Sequence, residues 1–247
     1  MIIYGINPVL EALRSGRVKS VSVSDRASGR AADVEHAAER AGVAVRRVPA
    51  RELDRASRGG VHQGVVAQVG AESERLDVAD LVSGADGPPL IVVLDGVEDP
   101  HNVGAILRTV DAAGADGVVR QSRRAAPLGG AAAKASAGAV AHVRIAEVVN
   151  IARALEELKE AGVWTVGLAS DAPKRYDELD LTLPTAVVVG AEGTGLRRLV
   201  RERCDWLAAI PMRGNVGSLN VSVATAVVLF EAVRQRRGPA GRRDSTR

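Results

Sequence analysis

Along the first half of the chain, apolar and polar positions change period several times. Ile6-Asn7-Pro8-Val9-Leu10-Glu11-Ala12-Leu13-Arg14-Ser15-Gly16 repeats its apolar positions three and four residues apart, which predicts a helix. Asn7 is expected as its N-cap, Pro8 as its first helical residue and Gly16 as its stop. Val18 to Ser24 alternates as a half-buried strand, Ala32 to Ala41 is helical up to Gly42, and Val43 to Val48 is a second strand. Ala50 to Ser57 is a short helix and Gly64 to Val69 a third strand. Residues 1–70 therefore form a small α/β domain. The stretch 71–89 ends in Ser83-Gly-Ala-Asp-Gly-Pro-Pro89, whose composition marks a linker.

Beyond it the patterning becomes that of a buried sheet. Leu90 to Leu94 is a continuous apolar run, and Val163 to Leu168, Ala186 to Val189 and Leu207 to Ile210 resemble it. Such runs fit strands buried on both faces of a parallel sheet. Helical stretches separate them: Asn102 to Ala113, Asn150 to Ala161, Leu196 to Cys204 and Asn220 to Arg236. The fold class is α/β, with a parallel-sheet domain over 90–237 behind the smaller one. Ligands of such sheets bind beyond the carboxyl ends of the strands, so the residues just after each run are the candidates.

Composition narrows the chemistry. Hydrophobic residues make up 46% of the chain, enough for a sizeable core. No apolar run reaches the roughly 18–20 residues that span a bilayer, and the start lacks a signal-peptide pattern, so a cytoplasmic protein is expected. The single cysteine, Cys204, fits a reducing compartment. Four scattered histidines and that cysteine give no metal-ligand spacing, so no metal is expected. Net charge is +3, but residues from Arg234 onward carry +5, which leaves −2 for the remainder. RNA binding would then use local patches, with the basic end, 238–247 above all, as an auxiliary phosphate contact or a solvated tail. Five aromatics, Tyr4, Trp164, Tyr176, Trp206 and Phe230, are too few for a simple base-stacking module.

Three strand ends carry unusual residues. After the first run comes Asp95-Gly-Val-Glu-Asp-Pro-His-Asn102, where Asn102 can cap a helix that carries Arg108 among small and apolar neighbours. After Val189 comes Gly190-Ala-Glu-Gly-Thr-Gly195, a glycine turn of G-x-x-G-x-G spacing, which is not the dinucleotide fingerprint. Glu192 within it disfavours a pyrophosphate and tolerates a cationic ligand. After Ile210 comes Pro211-Met-Arg-Gly-Asn-Val-Gly-Ser-Leu-Asn220, with Ser218 and Asn220 both able to cap the last helix.

Together, Leu94-Asp-Gly-Val-Glu-Asp-Pro-His-Asn-Val-Gly-Ala-Ile-Leu-Arg108-Thr, Val189-Gly-Ala-Glu-Gly-Thr-Gly-Leu196 and Ile210-Pro-Met-Arg-Gly-Asn-Val-Gly-Ser-Leu-Asn-Val-Ser222 resemble, in order and spacing, the three motifs of SpoU-type (TrmH-like) RNA 2′-O-ribose methyltransferases. Tyr4-Gly-Ile-Asn-Pro-Val-Leu-Glu-Ala and Gly60-Val-His-Gln-Gly-Val-Val66 are similar to that family's L30e-like substrate-binding domain. The resemblance implies a deep trefoil knot, S-adenosylmethionine as methyl donor, a homodimer, and ribosomal RNA as substrate, specifically a guanosine in the peptidyl-transferase P-loop of 23S rRNA. It implies cofactor contacts at Gly190, Ala191, Gly193, Ile210, Met212, Ser218 and Leu219, and catalytic or RNA-positioning roles for Asn102, Arg108, Glu192, Ser218 and Asn220. The segment Val119-Arg-Gln-Ser-Arg-Arg124 departs from the family pattern, and its three arginines suit phosphate contacts. Another rRNA site, a tRNA, a non-catalytic RNA-binding protein and a nucleotide-dependent oxidoreductase are the competing readings.

Overall fold

A computed structural model describes residues 2–27, 29–70, 76–123 and 125–237. The first elements are β1 (Ile2–Tyr4), α1 (Ile6–Arg14), β2 (Val18–Ser24), α2 (Arg30–Arg40), β3 (Ala44–Val48), α3 (Ala50–Ser57) and β4 (Val65–Val69). There follow α4 (Val78–Ser83), β5 (Leu90–Asp95), α5 (Pro100–Ala113), β6 (Gly117–Gln121), α6 (Ala131–Ala135), β7 (Ile145–Val148) and α7 (Ile151–Glu160). The last are β8 (Trp164–Leu168), β9 (Lys174–Arg175), β10 (Thr185–Gly190), α8 (Arg198–Arg203), β11 (Trp206–Ala209) and α9 (Val221–Arg236).

The chain divides into two compact units. One comprises Met1–Leu76, Val97–Asp111 and Arg124–Arg144, the other Asp77–Gly96, Ala112–Arg123 and Ile145–Arg247. The first unit is built on a four-stranded sheet of order β1-β4-β2-β3, with β4 antiparallel to both β1 and β2 and β2 parallel to β3. Strand β1 escapes the periodicity because three residues are too few to show one. Helix α1 starts at Ile6, two residues earlier than Asn7 capping requires. Gly5, at φ 95°, turns the chain out of β1, and the Ile6 amide donates to the Gln63 side-chain oxygen (3.1 Å). Asn7 lies inside the helix, and its side chain accepts from Arg30 (2.9 Å) instead of capping.

In the same unit α5 also starts before its expected cap. The Asp99 carboxylate accepts from the amides of His101 (3.0 Å) and Asn102 (3.3 Å), so Asp99 caps this end and Asn102 is a buried helical residue. Gly104 marks a close crossing of α5 and α6. A Cβ there would come within 2.5 Å of the Ala135 Cβ and 2.6 Å of the Ala132 carbonyl oxygen.

The second unit is a seven-stranded parallel sheet of order β7-β6-β5-β10-β8-β11-β9. Its centre is the pair β5 and β10, every residue of which is buried, as continuous apolar runs require. Because β10 enters between β5 and β8, the strand order reverses there. Helix α7, capped by Asn150, buries Ile151, Ala154, Leu155 and Leu158, the face its spacing predicts. Helix α4, within the stretch that reads as a connector, forms behind a reciprocal Asp77–Asp80 capping box and buries Val78 and Leu81. Arg120 is not a surface phosphate contact. It is 6% exposed on β6 and faces Glu147 of β7 at 3.6 Å. Arg124 and the tail 238–247 lie outside the described residues. No described helix is long and apolar enough to cross a membrane.

Candidate active site

The carboxyl ends of β10, β8 and β11 and the start of α9 enclose a cleft of roughly 390 Å³. Pockets of this size take small cofactors. The turn after β10 forms one wall. Ala191 and Gly195 close it as an isolated antiparallel bridge, with the Gly195 amide 2.9 Å from the Ala191 carbonyl. Gly193 (φ 81°) and Gly195 (φ 69°) occupy the left-handed region, so this path is open chiefly to glycine. Gly190 is needed for a different reason: a Cβ there would overlap the Gly195 carbonyl carbon and the Leu196 nitrogen.

Two polar clamps fix the turn. At its far end Arg197 donates its amide (2.8 Å) and Nε (2.7 Å) to Asp95, a fully buried carboxylate at the end of β5. At its crest Glu192 accepts from the Asn220 side-chain nitrogen at 2.6 Å. The oxygen of that same amide caps α9, accepting from the Ser222 amide (2.9 Å), the Ser222 hydroxyl (2.6 Å) and the Val223 amide (3.4 Å). One side chain thus starts the last helix and joins the second motif to the third. Ser218, the other expected cap, does not cap the helix and lines the cleft.

The lining is mainly apolar, with Leu168, Val189, Ala208, Ile210, Met212 and Leu219 beside glycine backbone. Glu192 is its one charged residue, so no cation awaits a phosphate and a nucleotide phosphate is a poor fit. A neutral or cationic ligand with an apolar body suits these walls. Among the described residues no group of side chains could hold a metal ion.

Gly190, Ala191, Glu192, Gly193, Ile210, Met212, Ser218, Leu219 and Asn220 all line this cleft. Asn102 and Arg108 belong to the first unit: Asn102 is buried, and Arg108 is exposed with no ion pair to a described residue. Leu168, which ends the second apolar run, and Ala169 and Ser170, which follow it, form part of the wall and are not among the expected contacts. The strand-end rule that found the other loops applies equally to them.

The chain belongs to the SpoU rRNA methylase family, whose model matches residues 89–230, and a model for RNA 2′-O ribose methyltransferase substrate binding matches residues 2–74. It is 46% identical to the 23S rRNA (guanosine-2′-O-)-methyltransferase RlmB of Pseudomonas syringae pv. tomato over 241 residues, 95% of each chain. To RlmB of Escherichia coli K12 it is 43% identical over 240 residues, 95% of this chain and 98% of that one. The structure of the SpoU methyltransferase AviRb from Streptomyces viridochromogenes in complex with AdoMet aligns at TM-score 0.79 and 26% identity, covering 96% of this chain and 90% of that one. The protein is an AdoMet-dependent RNA 2′-O-methyltransferase.

Proposed function

We propose that this enzyme methylates the ribose 2′-oxygen of a guanosine in the peptidyl-transferase P-loop of 23S rRNA, as a cytoplasmic homodimer with a trefoil-knotted C-terminal domain. The observation that carries the reading is the match to RlmB proteins along 95% of the chain, substrate-binding segment included.

Bound in the cleft, AdoMet supplies an electrophilic methyl group. Gly190, Ala191, Gly193, Ile210, Met212, Ser218 and Leu219 would hold it, and Glu192 would offer the one carboxylate of the lining to its positive charge. Asn220 keeps Glu192 and the third motif in register. Arg108 acts on the RNA. A guanidinium holds its proton too tightly to act as a base, so Arg108 serves as an electrostatic clamp on the 2′-oxygen or the adjacent phosphate. Transfer would form the bond from the 2′-oxygen to the methyl carbon as the sulfonium's bond to that carbon breaks and S-adenosylhomocysteine leaves, and the 2′-oxygen's proton would pass to water or to a phosphate oxygen. Asn102 positions the RNA.

Helix α9 supports the dimer. It is apolar around most of its circumference, and Val223 and Phe230, seven residues apart on one face, are each about half exposed. Such a face calls for a covering surface. Phe230→Glu is expected to yield monomers in analytical ultracentrifugation, and an unchanged dimer would assign the contact elsewhere.

The function is tested with labelled AdoMet and 23S rRNA from a strain lacking the P-loop methylation, with Arg108→Ala as control. A 2′-O-methylguanosine mapped to the P-loop and absent in the control supports the reading. Label at another site removes the P-loop assignment and retains the enzyme class.

A further inference from the structure

Trp164 and Trp206 are the chain's only tryptophans, 42 positions apart in sequence, yet their ring centroids lie 6.5 Å apart with planes tilted by 36°. The sheet register brings them together. Trp206 pairs with Val166, and Ala208 pairs with both Leu168 and Lys174, so Trp164, Trp206 and Lys174 project from one face of β8, β11 and β9. The Lys174 ammonium sits 3.6 Å from the centroid of the Trp206 ring and forms no ion pair with a described residue. Both indoles remain accessible, at 47% and 39%. Leu168 and Ala208, on the same face of the same strands, line the cofactor cleft. Trp206 precedes Ala208 by two residues and Trp164 precedes Leu168 by four, about 7 and 13 Å along the strands.

We propose that Trp164, Trp206 and Lys174 form an accessory RNA subsite, in which an unpaired base stacks on the indoles and the ammonium meets the flanking phosphate. Base stacking on indole tolerates any sequence, and a lysine with no carboxylate partner is a ready phosphate contact. The same lysine argues against an apolar partner surface, which would bury the ammonium without compensation. The inference rests on RNA being the substrate, and it adds a contact outside the motif loops.

The two tryptophans make the test direct, because all indole emission comes from this patch. Oligoadenylate titrated into the full-length protein is expected to quench that emission saturably, and an abasic oligonucleotide of equal length is not. Trp206→Leu should weaken oligoadenylate binding at least about fivefold with AdoMet affinity retained, and Trp206→Phe should restore most of it. Lys174→Gln, an exposed change that leaves the packing intact, should lower the slope of log affinity against log salt by about 0.7. Absence of quenching, equal quenching by the abasic strand, or an unchanged salt slope in Lys174→Gln would overturn the proposal. So would a Trp206→Leu protein of altered oligomeric state and unaltered RNA affinity, which gives the patch to a second copy. Methyl transfer to 23S rRNA by the wild type, measured in parallel, separates failure of the subsite from failure of the substrate reading.

Discussion

The Asp95–Arg197 pair joins the end of the central strand β5 to the end of the cofactor turn, and its two halves differ in burial. Asp95 is fully buried, whereas the Arg197 side chain is 53% exposed. Arg197→Ala therefore leaves a carboxylate in the sheet interior with the backbone amide of residue 197 as its remaining donor from this clamp. Stranding a buried charge in this way costs about 3–4 kcal/mol. Asp95→Asn keeps one acceptor, and the released guanidinium is already half in water, so it costs about 1–2 kcal/mol. In a chain of this length each kcal/mol moves Tm by about 2–4 °C. The expected losses are then roughly 10 °C for Arg197→Ala and roughly 4 °C for Asp95→Asn. Differential scanning fluorimetry at one fixed protein concentration measures both, since self-association of any kind makes Tm depend on concentration. The clamp also shapes the turn, so AdoMet affinity by calorimetry should fall about tenfold in Arg197→Ala, an effect near 1.4 kcal/mol. The reasoning is refuted if Asp95→Asn proves as damaging as Arg197→Ala, or if Arg197→Ala melts within a degree of the wild type.

Asn220→Ala should cost about 1–2 kcal/mol as a lost N-cap and also weaken AdoMet binding. Asn220→Ser, which can still cap α9 but cannot donate an amide N–H to Glu192, should melt near the wild type and still bind AdoMet weakly, as calorimetry and melting together would show. Arg108→Lys should lower single-turnover methylation by about a hundredfold or more with AdoMet affinity unchanged; near-normal turnover would show that the guanidinium fork is dispensable. Burial pushes the Cys204 thiol up to about 12. It should react slowly with Ellman's reagent at pH 8 and quickly in denaturant. Because the folded state holds this proton more tightly than the unfolded chain, stability should decline as pH rises from about 9 to 12, and Cys204→Ala should flatten that decline.

The sequence by itself determined the elements that carry strong local signals. Short continuous apolar runs bounded by turn residues fit strands of a covered parallel sheet, so β5, β8, β10 and β11 were legible almost to the residue. The glycine turn and the two flanking loops were legible because cleft walls sit at strand ends, and Asn220 as a cap because capping is local. What the sequence left undecided depends on contacts between distant segments. Asn102 reads as a cap until Asp99 is seen to hold that position, and Asn7 until Gln63, 57 residues from Ile6, satisfies the helix end. Arg120 looks like a phosphate contact because periodicity cannot show that Glu147 pairs beside it across β6 and β7. Trp164 and Trp206 count as two scattered aromatics until parallel pairing of β8 with β11 sets them side by side. Local composition fixes which segments become strands, helices and turns. Strand order and register, set by the packing of the whole sheet, decide which side chains meet.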